Sequence, residues 1–225
     1  MSINITKRET RHIIAMLDLL GTSEIIFGEQ SEIVMNGISN IFKDAGTKWP
    51  YVENAPTVLQ SIKSVTFSDN IALALELPDE LSEEEMNIVI ENFITYISVF
   101  QGAGLKNSLL FRGGIAIGPL YINSETNFIW GKALVEAHVL EEKTAIYPRV
   151  VLSSQLQQFE LPKTTRILKD FDGMYFVDYF SKTKEKFPDW IEKNKMMIKE
   201  KYVKYEGKER ILQKYAWLEH YIEQL

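Results

Sequence analysis

The chain of 225 residues contains no cysteine and only three histidines. The absence of cysteine excludes disulfide bonds, thiolate zinc sites and catalysis by a cysteine nucleophile, and it agrees with a reducing compartment. Positive charge is also scarce, because 25 lysine and arginine residues are outnumbered by 31 aspartate and glutamate residues, giving a net charge of −6. This balance argues against general electrostatic binding of nucleic acid or of an anionic membrane, so we expect neither as a partner.

A long hydrophobic run is missing near the N-terminus as well. The apolar residues after Arg11 extend for only about eight positions before Asp18 interrupts them, which is too short for a membrane span and atypical of a signal peptide. We therefore expect a cytoplasmic protein. The hydrophobic content of 45% suffices for a substantial core, and no repeat, low-complexity tract or internal domain linker is evident.

The stretch from His12 to Ser23 ends an apolar run with one acid, a glycine and a helix-starting pair. The run Ile13–Leu17 predicts a strand buried on both faces. A buried carboxylate without a partner costs about several kcal/mol, so Asp18 is expected to meet a cation, hydrogen-bond donors or water. Two interpretations remain open: Asp18 is a metal ligand, or it closes the strand and accepts hydrogen bonds from the turn.

A helix is predicted directly after Gly21. Thr22 or Ser23 suits its N-cap, and apolar positions between Ile25 and Phe42 suit its buried face. A strand end followed by a glycine turn and a helix N-terminus presents free backbone N–H groups, which commonly hold phosphate. The same junction therefore offers a candidate metal ligand and a candidate phosphate site.

Two alternating apolar segments between Leu59 and Leu77 flank Ser68-Asp69-Asn70 and predict a β-hairpin. Asp69 then lies in a tight turn, where aspartate is also common for conformational reasons alone. If the first strand pairs with this hairpin in one antiparallel sheet, Asp18 and Asp69 converge. Two carboxylates beside free amides suit one or two Mg²⁺ ions, and with them phosphoryl or nucleotidyl transfer.

A capping signal predicts a helix from Ser82 to Gln101, which Gly102-Ala103-Gly104 is expected to end. A strand, a Gly-Pro turn and a second strand are predicted between Leu109 and Ile122. Arg112 lies inside the first of these strands. A guanidinium in an apolar strand usually has an anionic partner, which is either a carboxylate of the fold or a bound phosphate.

The remaining chain predicts a helix from Lys132 to Glu142, short strands at Pro148–Ser153 and Met174–Phe180, and a lysine-rich helical segment from Lys182 to Leu225. The helix is expected to face inward with Leu134, Ala137, Val139 and Leu140, and outward with Glu136, Glu141 and Glu142. The last segment carries an apolar stripe suited to core or dimer packing, formed by Trp217, Leu218, Tyr221, Ile222 and Leu225.

Four segments, taken in order, resemble the motifs of class III nucleotide cyclases. They are Met16-Leu17-Asp18-Leu19-Leu20-Gly21-Thr22, Thr66-Phe67-Ser68-Asp69-Asn70-Ile71-Ala72-Leu73-Ala74, Phe111-Arg112-Gly113-Gly114-Ile115-Ala116-Ile117-Gly118-Pro119 and Ile129-Trp130-Gly131. The pattern Lys214-Tyr215-Ala216-Trp217-Leu218 is similar to the single-domain cyclases of the bacterial Pycsar antiphage systems. No single motif is specific; the four in order are, and the resemblance covers about residues 13 to 153.

The resemblance implies an α+β chain with a ferredoxin-like βαββαβ core. Residues 1–181 would form the catalytic domain, and residues 182–225 a helical extension of it. A homodimer with composite active sites is implied, with Asp18 and Asp69 as ligands of two Mg²⁺ or Mn²⁺ ions and the Leu19 carbonyl as a further ligand. The backbone amides expected to hold the triphosphate are those of Leu20, Gly21, Thr22 and Ser23.

Several positions depart from the purine cyclases of this class. Val65 replaces a base-reading lysine and Phe128 a base-reading polar residue. In an alignment without gaps, Val135 and Val139 occupy the positions at which the family has an asparagine and an arginine that contact the ribose and the transition state. A pyrimidine substrate accounts for these losses while both metal acids are retained. Two further cations, Arg112 as a catalytic residue and Lys132 as a substrate-binding residue, are then the local candidates to contact phosphate.

The sequence therefore predicts a cytoplasmic cyclase that converts a pyrimidine nucleoside triphosphate to the 3′,5′-cyclic monophosphate and pyrophosphate. UTP is expected before CTP from the substrates of the family, not from any residue. The product would signal to a separate effector protein in antiviral defence. Two alternatives remain open: a purine cyclase with atypical base-reading residues, and an inactive cyclase-like domain that senses nucleotides or mediates dimerisation.

Overall fold

In the computed structural model, eight strands of the described residues form one sheet with helices on both faces. The structure describes residues 8–22, 31–32, 35–39, 41, 62–123, 125–161, 163, 165–181 and 189–224. The strands are β1 (Thr10–Leu19), β2 (Lys63–Phe67), β3 (Asn70–Glu76), β4 (Phe111–Asn123), β5 (Phe128–Trp130), β6 (Val150–Leu152), β7 (Ile167–Lys169) and β8 (Tyr175–Val177). The helices are α1 (Glu83–Lys106), α2 (Lys132–Lys143), α3 (Asp189–Lys204) and α4 (Glu209–Glu223).

The strand order is β2-β3-β1-β4-β6-β8-β7, and β5 pairs with the end of β4. Residues 31–32, 35–39 and 41, between β1 and β2, are helical; the rest of the helix predicted there lies outside the described residues. The succession of β1, this helical segment, β2, β3, α1 and β4 is the predicted ferredoxin-like βαββαβ core. The α+β fold class is confirmed.

Strand β1 lies at the centre of the sheet, as its apolar sequence predicts. Ile13, Ile14 and Leu17 are completely buried, because β1 is antiparallel to β3 on one side and to β4 on the other. The predicted pairing of β1 with the hairpin is therefore confirmed. Its register brings Asp18 opposite Asn70 on β3 and opposite Arg112 on β4.

Helix α1 covers one face of the sheet and begins at the predicted capping box. The backbone N–H of Ser82 donates to Glu85 Oε2 at 2.8 Å, and the Glu85 N–H donates to Ser82 Oγ at 3.3 Å. Length and apolar composition alone would let α1 cross a membrane, but 72% of its most apolar window is buried inside the fold. Its burial is that of a core helix.

The prediction that Gly102-Ala103-Gly104 ends this helix is wrong, since α1 continues to Lys106. Gly104 allows close packing of the helix and does not end it. A Cβ atom at this position would lie 2.7 Å from the Phe111 ring, closer than carbon atoms pack. The glycine therefore lets α1 approach the start of β4.

The predicted turn at Gly118-Pro119 is also wrong, because β4 runs without interruption from Phe111 to Asn123. Strand β6 pairs with Gly113–Ile115 and β5 with Tyr121–Asn123. Pro119 lies outside both of these ladders but pairs with Arg11 in the ladder between β1 and β4. A strand tolerates a residue that has no N–H group where the pairing on one side is interrupted. The chain turns instead at residues 125–127.

Helix α2 covers the opposite face, and its buried side differs from the prediction. Ala133, Ala137 and Glu141 are buried, whereas Val139 is 40% exposed. The small residues at this spacing allow close packing on β4, where a Cβ atom at Gly114 would lie 2.5 Å from the Ala137 carbonyl oxygen. Glu141 was predicted to face outward. It instead lies one helical turn after Ala137, on the same buried side of the helix.

The C-terminal helices pack on the core, which answers the alternative left open for the apolar stripe. Trp217, Leu218, Tyr221 and Ile222 of α4 are buried in one cluster with side chains that include Val151 of β6 and Phe176 of β8. Leu225 and residues 182–188 lie outside the described residues. The predicted strand at Met174–Phe180 is present as β8, but β7 was not predicted, since three residues are too few for a recognisable period.

Gly114→Ala tests the close approach of α2 and β4. The added methyl group would overlap the Ala137 carbonyl and the Leu140 side chain, so we expect a loss of about 1–3 kcal/mol in the free energy of unfolding, measured by urea denaturation. Gly37→Ala is the control, because its Cβ meets Leu109 at an ordinary 3.4 Å and alanine favours a helix. Equal stabilities of the two variants would contradict this packing.

Candidate active site

A cavity of about 300 Å³ lies where β1 ends, β2 turns into β3 and β4 begins. Its floor includes Asp18, Leu19, Asp69 and Arg112, and the glycine turn after β1 forms one side. The register of three strands thus brings together acids that are far apart in sequence. The two candidate metal acids and Arg112 line one cavity.

Asp18 and Asp69 are held close by backbone contacts between the ends of their strands. The N–H of Leu19 donates to the Asp69 carbonyl at 3.3 Å. Ser68 has a φ of 56° in the turn between β2 and β3, so Asp69 directly follows a residue in the left-handed region. Both interpretations of Asp69 therefore agree with the geometry: it belongs to the turn, and it lines the cavity.

Arg112 bridges two carboxylates. Its Nε donates to Asp18 Oδ2 at 2.7 Å, and its Nη2 lies 2.7 Å from Glu141 Oε1 on α2. Its Nη1 also donates to the Glu141 backbone carbonyl at 3.3 Å. Of the two partners weighed for this guanidinium, the structure contains the carboxylates. Among the described residues, Asp18 Oδ1 receives no hydrogen bond and remains available to a ligand.

Burial raises the pKa of Asp18 above its ordinary value, and the hydrogen bond and charge of Arg112 oppose this shift. The charge of Asp69 adds to the increase. Burial likewise raises the pKa of Glu141, against the influence of Arg112. An added cation beside Asp18 would favour its ionised form, as a divalent metal ion does.

The carboxylate pair fits a divalent metal ion whose remaining ligands come from substrate. No cluster of three or more histidine, aspartate or glutamate side chains suited to a metal occurs within the described ranges. Mg²⁺ is usually bound by one or two carboxylates together with phosphate oxygens and water. Asp18, Asp69 and the Leu19 carbonyl match that set, although this carbonyl also accepts a hydrogen bond from Thr22 Oγ1 at 2.6 Å.

The amides predicted to hold phosphate are not equivalent. The N–H of Leu20 donates to the Leu110 carbonyl at 2.8 Å, so it is already occupied. Gly21, with a φ of +83° and open space around its Cα, and Thr22 both line the cavity. Ser23 lies outside the described residues. Gly21 and Thr22 therefore carry the phosphate-binding hypothesis.

Lys132 does not lie in this cavity. It lines a separate groove of about 650 Å³ on the exposed side of α2, together with Trp130, Val135 and Val139. Trp130 is 66% exposed and Val135 is 63% exposed. Within one chain, Lys132 is therefore separated from the two acids.

Sequence reasoning missed four polar residues at or beside the cavity. Glu141 was assigned to the outer face of its helix, and the signal that could have corrected this is the Ala133–Ala137–Glu141 spacing. Tyr205, Lys214 and Tyr215 also line the cavity. Burial and the charge of Arg112 lower the pKa of Lys214, and Asp18 opposes this shift. Nothing in the local sequence of α4 indicates that it reaches the end of β1.

The sequence matches no protein-family model and no curated protein. Its structure resembles the crystal structure of the guanylyl cyclase Cya2, with a TM-score of 0.50 and 14% identity over 76% of this chain and 93% of that chain. It also matches the catalytic core of a rhodopsin-guanylyl cyclase with converted specificity in complex with ATPαS, with a TM-score of 0.48 and 12% identity over 76% and 97% of the two chains. The likeness to Cya2 shows that the chain has the fold of a cyclase catalytic core.

Glu141→Gln tests the buried carboxylate. Because burial raises the pKa of Glu141 above 4.5, the folded chain keeps a proton that the unfolded chain loses, and the free energy of unfolding falls as the pH rises from 4.5 through the raised value. The Glu141→Gln variant lacks this titrating group. We therefore expect the free energy of unfolding of the variant, minus that of wild type, to increase over that pH range in urea denaturation. The exposed Glu142→Gln variant is the control; a flat or declining trend for Glu141→Gln would contradict the assignment.

Proposed function

We propose that the chain is a nucleotide cyclase that converts a pyrimidine nucleoside triphosphate to the 3′,5′-cyclic monophosphate and pyrophosphate. UTP is the substrate we expect first, and CTP the second. The product, cyclic UMP or cyclic CMP, would serve as a cytoplasmic second messenger for a separate effector protein in defence against phage.

The observation that supports the activity is the meeting of Asp18 and Asp69 in one cavity of a cyclase-type fold. The turn between β2 and β3 does not require a carboxylate at Asp69, because a serine or asparagine would close it equally well. The cavity also receives the amide-bearing turn at Gly21 and Thr22. Acids for metal ions next to amides for phosphate are what phosphoryl transfer requires.

In the proposed reaction, the ribose 3′-oxygen bonds to the α-phosphorus as the bond from the α-phosphorus to the α,β-bridging oxygen breaks. Pyrophosphate leaves with that oxygen, and the 3′-hydroxyl proton passes to water. Two Mg²⁺ or Mn²⁺ ions, when bound by Asp18, Asp69 and the Leu19 carbonyl, would activate the hydroxyl and stabilise charge on the α-phosphate. Arg112 orients Asp18 through the 2.7 Å contact with Oδ2. Gly21 and Thr22 would donate hydrogen bonds to the phosphates.

The two base-reading positions support a pyrimidine. Val65 is buried at 8% exposure, in the cluster that packs under α2, so it offers no polar group to a base. Phe128 is 51% exposed at the start of β5. Neither side chain can form the hydrogen bonds by which a purine base would be recognised at these positions. A pyrimidine base is smaller and would be recognised by other residues. The pyrimidine preference rests on this loss of polar groups.

A homodimer with composite sites is part of the proposal. Four large apolar side chains, which we term the apolar face, are exposed on β5 and α2: Phe128, Trp130, Val135 and Val139. Contiguous exposed apolar surface of this kind marks protein interfaces. Lys132 lies in the same groove, so a second copy that covers the apolar face would receive Lys132 close to its own surface. Lys132 would then contact substrate phosphate across the interface.

One observation favours an inactive, nucleotide-sensing domain as the second candidate. Two nitrogens of the Arg112 guanidinium donate hydrogen bonds inside the chain, one of them to the candidate metal ligand Asp18, and the third lies 2.7 Å from Glu141 Oε1. A guanidinium on Asp18 can substitute for a metal cation. A purine cyclase with atypical base-reading residues is the third candidate, and the same assay separates all three.

Purified protein is incubated with each of the four nucleoside triphosphates and Mn²⁺, and the products are resolved by mass. We expect cyclic UMP or cyclic CMP. Asp18→Asn and Asp69→Asn should each lower the rate by about a hundredfold or more, since metal ions supply about several kcal/mol of transition-state stabilisation. Asp79→Asn, an exposed acid on a turn, is the matched control and should retain the wild-type rate.

Each alternative has its own outcome in this assay. Cyclic AMP or cyclic GMP as the product would support a purine cyclase and overturn the pyrimidine assignment. Retained nucleotide binding without any product would support the sensing domain and overturn the cyclase activity. Unchanged turnover in Asp18→Asn or Asp69→Asn would remove the metal assignment, provided that circular dichroism shows the variants to be folded.

The dimer is tested in two ways: by placing a charge in the apolar face, and by mixing two variants that each lack one part of the composite site. Val135→Asp inserts a charge into the apolar face and should shift the mass measured by light scattering from dimer to monomer. If Lys132 acts across the interface, a mixture of Asp18→Asn and Lys132→Ala chains forms heterodimers with one intact site, so activity should return. The absence of recovery after exchange of subunits, or a monomeric wild-type protein, would contradict composite sites.

A further inference from the structure

The roof of the Asp18–Asp69 cavity comes from the C-terminal helices, which the core motifs do not include. Tyr205, directly after α3, and Ile211, Lys214 and Tyr215, in the first half of α4, line the same cavity as the strand ends. The same chain therefore provides both the acidic floor and a lysine above it. This lysine has no role in the function proposed so far.

We propose that Lys214 is a polyphosphate-binding residue of this cavity, supplied by α4 of the same chain. The proposal rests on the proposed function for the identity of the substrate, a nucleoside triphosphate, but the anion contact itself does not depend on turnover. Three observations carry it: the rigid anchoring of α4, the charge environment of the ammonium group, and the basic character of the surrounding roof.

Helix α4 is anchored by buried polar contacts directly after Lys214. Trp217 Nε1 donates to Asp170 Oδ2 at 2.7 Å, and Asp170 is in turn paired with the buried Arg149. One turn later, the Tyr221 hydroxyl donates to Asp178 Oδ1 at 2.5 Å. Residues 214, 217 or 218, and 221 lie on one helical face. The anchors therefore fix the position of Lys214 over the cavity.

The charge environment of Lys214 suits an anion. Its side chain is half-buried and shares the cavity with the guanidinium of Arg112. Among the described residues, no carboxylate lies within 4.0 Å of its ammonium group, and Asp18, the acid that attracts it, is already paired with Arg112. Two cations in one partly desolvated cavity repel each other unless an anion lies between them. A phosphate group that accepts a hydrogen bond from Lys214 would offset this repulsion.

The roof contains other basic residues besides Lys214. Three lysines, Lys201, Lys204 and Lys208, place their ammonium groups 5.0 to 6.0 Å from the centre of the Tyr205 ring. The Tyr205 ring also lies parallel to Tyr215, with centroids 6.0 Å apart and an interplanar angle of 12°. In a chain with a net charge of −6, this concentration of positive charge beside the cavity attracts a polyanion. Lys214 is the member that lines the cavity itself.

The test measures binding of inorganic tripolyphosphate and of a non-hydrolysable α,β-methylene UTP, each with Mg²⁺, by isothermal titration calorimetry. We expect Lys214→Gln to raise the Kd for both probes by about tenfold or more, the amount typical of one charge-assisted hydrogen bond. Lys214→Arg should recover much of the affinity, because arginine retains the charge. Lys199→Gln, which removes the same charge from an exposed position on α3, should bind as the wild type does.

An unchanged Kd for Lys214→Gln would overturn the inference, and so would tighter binding, which would identify Lys214 as an internal competitor of the phosphate. Circular dichroism and thermal unfolding of the variant establish that it is folded. The outcome is separable from that of the cyclase assay. If binding depends on Lys214 but no cyclic product forms, the inference holds and the cyclase activity is refuted. If cyclic product forms but neither the Kd nor the KM depends on Lys214, the cyclase activity holds and the inference is refuted.

Discussion

Arg112 binds Asp18 of β1 on one side and Glu141 of α2 on the other, and the candidate site is organised around this bridge. Each carboxylate alone would be an unfavourable charge at the end of an apolar layer. The guanidinium joins them because its planar donors match two carboxylates at once. The bridge therefore fixes the end of the central strand against the helix that covers it, and it orients one acid at the mouth of the cavity.

The bridge depends on backbone geometry that small residues provide. Gly114 lets α2 approach β4 so closely that Ala137 lies directly over the strand, and Glu141 follows one turn later on the same helical face. A larger residue at either position would lift α2 and separate Glu141 from Arg112. The glycines of this strand are thus part of the site, although they carry no chemistry.

The floor of the site could be predicted from sequence because it depends on local signals. An apolar run ended by Asp18, and a hairpin with Asp69 in its turn, are both visible in a few residues, and antiparallel pairing then brings the acids together. The inward position of Glu141 was missed because an average apolar period outweighed the alanine spacing. The turn expected at Gly118-Pro119 was wrong because no local pattern reveals that β4 continues through these residues by pairing with β1. The roof could not be foreseen at all, since Lys214 reaches the cavity only through tertiary anchors at Trp217 and Tyr221.

The engagement of Arg112 also decides how its role is best understood. Its three nitrogens already contact Asp18 and Glu141, and an arginine that leaves them for phosphate would strand two partly buried carboxylates. Holding Asp18 through Oδ2 agrees with the contacts that Arg112 makes, whereas direct phosphate binding could use only the two guanidinium N–H groups that these contacts leave over. Arg112 therefore acts most naturally as a positioning residue. In the proposed reaction, the positive charge that a triphosphate needs would then come from metal ions at Asp18 and Asp69 and from lysines such as Lys214.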